Sequence, residues 1–84
     1  MNNLVVVRGG GDIATGTIYK LARCGFHVLV LEIAHPSAIR RNVAYSEAVY
    51  DGHKEVEGIE CVLIHSLNEL GSVFKENKIA MMVD

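Results

Sequence analysis

Residues 4–32 read LVVVRGGGDIATGTIYKLARCGFHVLVLE. An apolar strand runs into glycines, the glycines open a helix, and a second apolar strand ends in an acid. That is the layout of a dinucleotide-binding βαβ unit. Leu4-Val5-Val6-Val7 is the continuous apolar run expected of a parallel strand buried on both faces. Gly9, Gly11 and Ala14 have the spacing G-x-G-x-x-A. Gly9 allows the tight turn out of the strand, and Gly11 lets a pyrophosphate approach the backbone. Ala14 is small enough for close packing of helix on strand. Free N–H groups and the positive dipole end at the helix start then hold the anion. The candidate cofactor-binding turn is therefore Gly9, Gly10, Gly11, Asp12, Ile13 and Ala14. The charge of Asp12 favours the helix dipole but repels a phosphate placed beside it.

The helix continues with Ile18 and Leu21 on one apolar stripe. Gly16 lies inside it at a cost of about 1 kcal/mol relative to alanine, which points to close backbone contact there. Gly25 is placed to stop the helix. The second strand runs over Phe26–Leu31 and ends at Glu32. An acid at that place usually bonds the ribose hydroxyls of a dinucleotide.

At 84 residues the chain is one domain at most. Half of it is hydrophobic, which suits strands covered on both faces. A net charge of −2 gives no electrostatic case for nucleic acid or an anionic membrane. No apolar run is long enough to span a bilayer, and the N-terminus carries no basic, cleavable signal. Cys24 and Cys61 read as free thiols, buried or half-buried, in a reducing cytoplasm, and not as a disulfide. His27, His35, His53 and His65 are scattered and support no metal site.

Pro36 marks a loop over Ile33–Ser37, and Arg40 and Arg41 follow it. These arginines are candidates to meet a second phosphate or a carboxylate; the competing reading is a solvated face or pairing with Glu47 or Asp51. Ser46–Tyr50 is a candidate short helix capped by Ser46 and ended by Asp51-Gly52. Glu55–Gly58 reads as a polar connector and Ile59–Ile64 as the third strand. Ser66 and Glu69 form a capping box for a helix over Leu67–Asn77, with Leu67, Leu70, Val73 and Phe74 on one face. Ile79–Val83 is a fourth strand, with Met81 and Met82 in core and edge packing. Tyr45 and Tyr50 are expected to cover the sheet edge with hydroxyls in water, the alternative being stacking on a base.

Two crossover units of this kind give an α/β fold, a Rossmann-like doubly wound parallel sheet of about four strands in the order 3-2-1-4. The fourth strand is then an open apolar edge, which proteins cover or avoid. The expectation is an N-terminal fragment, the incomplete half of a larger domain, or a chain that pairs that edge with a partner, including another copy of itself.

The combination RGGGDIATGTIYKLARCGFHVLVLE, then HPSAIRRNVAYSEAVYDG, then VEGIE, then a strand ending in MMVD, resembles the N-terminal part of the YqeB-type accessory proteins of selenium-dependent molybdenum hydroxylases. The segment AIRRNVAYSEAVYDG carries the resemblance more particularly than the glycines, because generic Rossmann units have no fixed sequence there. The resemblance implies a maturation or cofactor-handling role beside a molybdenum hydroxylase and does not identify a reaction. The ligand is then NAD or another dinucleotide, including a molybdopterin dinucleotide. Two alternatives stand beside it. One is an NAD-dependent oxidoreductase similar to precorrin-2 dehydrogenase, for which no catalytic acid or base stands out, Asp84 being one acid without a neighbour. The other is a structural or interaction module that uses its sheet edge.

Overall fold

The apolar run after Asn3 forms β1 (Leu4–Arg8) and the glycines lead into α1 (Asp12–Arg23). β2 (His27–Glu32) follows. A 3₁₀ turn (Tyr45–Glu47) leads into α2 (Ala48–Asp51), then β3 (His53–Val56) and β4 (Ile59–Ile64). A second 3₁₀ turn (Leu67–Glu69), α3 (Leu70–Lys75) and β5 (Ile79–Val83) complete the order. The computed structural model describes residues 3–9, 12–33 and 44–83. Among them the fold is mixed α/β, with a five-stranded sheet and three helices.

Local signals set several boundaries. Gly25 takes φ +92°, a left-handed backbone that glycine adopts at little cost. Its N–H donates to the Ala22 carbonyl at 3.1 Å while that of Phe26 donates to Leu21 at 3.1 Å. This is the paired closure of a Schellman end. Ser66 and Glu69 form the capping box ahead of α3. Asn77, at φ +60°, closes that helix in the way Gly25 closes α1.

The strand order is β1-β2-β5-β4-β3, not 3-2-1-4. β1, β2, β5 and β4 are parallel neighbours, and β3 pairs antiparallel with β4. The strand at residues 79–83 is thus interior, not the open edge, and the edge beside it expected for a partner does not exist. The physical reason lies in its side chains. Ile79 and Met81 enter the cluster with Ile18, Val28, Val30, Tyr45 and Cys61, and Ala80 enters the one with Leu29, Ile64, Leu70 and Phe74. A strand buried on both faces belongs inside a sheet. β1 takes the edge instead, with Leu4 39% and Val6 52% exposed, contrary to burial on both faces. The polar connector at Glu55–Gly58 is replaced by β3 and a two-residue turn. Glu57 (φ +49°) and Gly58 (φ +89°) both adopt left-handed backbone, as a tight hairpin demands.

Further expectations change. Ser46 is buried and does not cap its helix; the cap position falls at Ala44, with no side-chain bond. Leu67 is 56% exposed, so the buried face of α3 is Leu70, Val73 and Phe74. Tyr45 is fully buried and its hydroxyl donates to the Ile59 carbonyl at 3.0 Å, whereas Tyr50 is exposed. Both thiols are free; Cys61 is buried, whereas Cys24, in the turn after α1, is exposed and not buried or half-buried as expected. No helix among the described residues is long and apolar enough to cross a membrane.

Gly16 faces open space, with nothing within 4 Å of an added Cβ, so close backbone contact does not explain it. Gly16→Ala is expected to raise stability by about 0.5–1 kcal/mol, read as a higher thermal midpoint. The Tyr45 N–H donates to Thr15 Oγ1 at 2.9 Å in the interior. Thr15→Val strands that N–H and is expected to cost about 1–3 kcal/mol in denaturant melts, against about 1 kcal/mol for Tyr45→Phe. Burial, with Glu60 second, pushes the Cys61 thiol up from its ordinary 9.0. Burial, with Cys61 second, pushes the Tyr45 hydroxyl up from 10.0. The unfolded chain therefore ionises first, and stability is fully present below those ordinary values and falls as pH rises above them. Denaturant midpoints are expected to hold to about pH 9 and drop beyond it, and less so in Cys61→Ala.

Candidate functional site

Four parallel strands bring their carboxyl ends to one side of the sheet, where α/β folds seat ligands. Gly9 leaves β1 at φ +88°, which admits the turn toward α1 without a Cβ penalty. Its N–H donates to the Leu31 carbonyl at 2.8 Å. That bond carries the ladder one step past Arg8↔Leu31 and ties the start of the turn to the end of β2. An added Cβ on Gly9 meets no described residue within 4 Å.

Glu32 is the last residue of β2 and is 8% exposed. Its register neighbour on β5 is Val83. Val28 and Val30 pack on the α1 side of the sheet, and alternation puts Glu32 on that side too. One carboxylate oxygen accepts the Ile33 N–H at 2.9 Å. An acid thus stands one strand away from Gly9, on the face that α1 covers. The 12-residue α1 begins at Asp12, so its dipole favours negative charge at that end.

Ala14 is half-buried against the cluster that holds Ile18 and Val28, matching its expected role as a small contact between helix and strand. Gly9, Ala14 and Glu32 are thus brought to one end of the βαβ unit. Gly10, Gly11, Arg40, Arg41 and Asp84, with the side chains of Asp12 and Ile13, lie outside the described residues.

Beside these residues stand Thr15, which sequence reasoning missed, and Tyr45, which it placed at the sheet edge. Their hydrogen bond clamps the first turns of α1 to the chain entering α2. The signal was a threonine on the buried helix face, three residues before Ile18. At the opposite end of β5, Lys78 bridges Glu60 at 3.3 Å and Glu76 at 3.0 Å, and His53 approaches Glu60 at 3.5 Å. Those bonds, Glu76 first, raise the Lys78 ammonium pKa. The group ties β5 to the β3–β4 hairpin and stands away from the strand carboxyl ends. Among the described residues, no three His, Cys, Asp or Glu side chains converge as a metal site would require.

No family profile matches the chain, and no solved structure matches it. The chain is 42% identical over 83 residues, 99% of its length, to an Escherichia coli (strain K12) protein described as the uncharacterised protein YqeB. It spans only 15% of that relative. The similarity supports a YqeB-type assignment for the segment and carries no role with it.

Proposed function

We propose that the chain supplies the mononucleotide-binding half of a Rossmann-like dinucleotide site in an accessory protein of a selenium-dependent molybdenum hydroxylase system. In this reading the Gly9 turn and the start of α1 hold a diphosphate, and Glu32 accepts from the ribose hydroxyls. The carrying observation is the bond between Gly9 and the end of β2, which holds a left-handed glycine one strand from a buried acid. That pairing supports anion binding next to a hydroxyl-reading carboxylate. The same carboxylate disfavours a 2′-phosphate, so NAD or a cytosine-type molybdopterin dinucleotide fits better than NADP. The hydroxylase connection rests on the resemblance in the segment AIRRNVAYSEAVYDG.

Calorimetric titration of the chain, and of the full-length E. coli relative, with NAD, NADP and a cytidine dinucleotide tests the reading. Saturable binding of NAD or the cytidine dinucleotide, with NADP weaker, is the expected result. Glu32→Ala is expected to weaken binding about 10- to 100-fold, as loss of hydrogen bonds to a charged group does. Absence of binding to all three at millimolar concentration rejects the ligand.

A further inference from the structure

The two edges of the sheet are built differently. β3 is short and carries His53, Lys54 and Glu55, the polar residues that blunt edge pairing. β1 carries Leu4 and Val6, 39% and 52% exposed, and its one charge, Arg8, stands at its last position. His27 donates its N–H to the Asn3 carbonyl, and Gly9 donates to Leu31. Odd-numbered residues of β1 therefore turn their backbone toward β2. By alternation, Leu4 and Val6 turn theirs to the outer side. Their side chains stand on the α3 face, since Leu4 registers with His27 and Val6 with Leu29. On that face α3 packs over Leu29, Ala80 and Ile64, and its Phe74 ring stacks on His27 at 4.7 Å. Leu4 and Val6, on that same face, remain 39% and 52% exposed among the described residues.

We propose that a further parallel strand pairs with β1 through Leu4 and Val6, and that the helix of its crossover lies over those two side chains. The winding of the sheet supplies the reason. The step from β1 to β2 carries α1 on one face; the step from β4 to β5 runs the opposite way across the sheet and carries α3 on the other. Opposite directions on opposite faces are one and the same hand, which in parallel sheets is right-handed. A crossover that moves in the β4-to-β5 direction as far as the outer side of β1 lays its helix on the α3 face, where Leu4 and Val6 stand. A second copy does not meet this need. Antiparallel pairing of β1 with its own copy sets Leu4 and Val6 of both side by side on one face and brings no helix over them. The occupant is an apolar strand with an amphipathic helix. The E. coli relative has ample chain for one, since the match takes up 15% of it. The inference requires no nucleotide and stands apart from the proposed ligand.

Amide hydrogen exchange tests it on two polypeptides: the 84-residue chain, and the E. coli relative with its matching 83 residues exchanged for this chain. The unaltered relative is measured alongside at the aligned positions. The expected result is that Leu4 and Val6 exchange fast in the short chain and at least ~100-fold more slowly in the long one, while Val5 and Val7 are protected in both. Fast exchange at Leu4 and Val6 in the long polypeptide and in the relative, with Val5 and Val7 protected, overturns the proposal. So does protection in the short chain that grows with its concentration, which assigns the edge to a second copy.

Discussion

β5 is held between β2 and β4, and both layers of side chains pack against it. Ile79 and Met81 are 1% and 0% exposed in the core under α1, and Ala80 is 0% exposed in the core under α3. Burying side chains of the size of isoleucine and methionine contributes about 1.5–3 kcal/mol each. Ala80 matters for its smallness, since Phe74 and Val73 lie over that part of the sheet. A five-residue strand is therefore the common wall of two clusters. Its place decides which strand becomes the edge.

That order shapes the candidate site. With β5 beside β2, the carboxyl ends run in the sequence Gly9, Glu32, Val83, Ile64 across the sheet. The glycine turn stands at the margin and the acid one strand inward. In a 3-2-1-4 sheet the glycine turn is flanked by strands on both sides; here β2 alone flanks it among the described strands. In the proposed reading, the turn, the start of α1 and Glu32 meet the diphosphate and one ribose of a dinucleotide. The clamp between Thr15 and Tyr45 holds α1 to the chain entering α2.

Much of the local structure was legible in the sequence. The strand-glycine-helix-strand reading of residues 4–32 gave β1, α1 and β2, and Gly25 and Ser66 marked helix boundaries where they occur. These signals are local: a left-handed glycine, a capping hydroxyl, a helical stripe. Strand order is not local. LVVV and IAMMV are equally apolar runs, and nothing in either says which one meets neighbours on both sides. β3 was hidden because His-Lys-Glu-Val is mostly polar and its turn is Glu-Gly, where Asn-Gly or Asp-Gly would have announced a hairpin. Tyr45 was misread because its burial depends on Thr15 and Ile59, 30 and 14 residues away. Within the candidate site, the spacing set the glycine after β1 and the acid at the end of β2, whereas their position at the sheet's margin followed only from the order of strands.

Cross-strand nuclear Overhauser contacts in the labelled chain measure that order directly. The expected result is contacts linking Leu29 with Ala80, Leu31 with Met82 and Cys61 with Ile79, with none joining β1 to β5. Contacts between Val6 or Val7 and the strand at residues 79–83, with none between Leu29 and Ala80, would contradict it and restore the order 3-2-1-4.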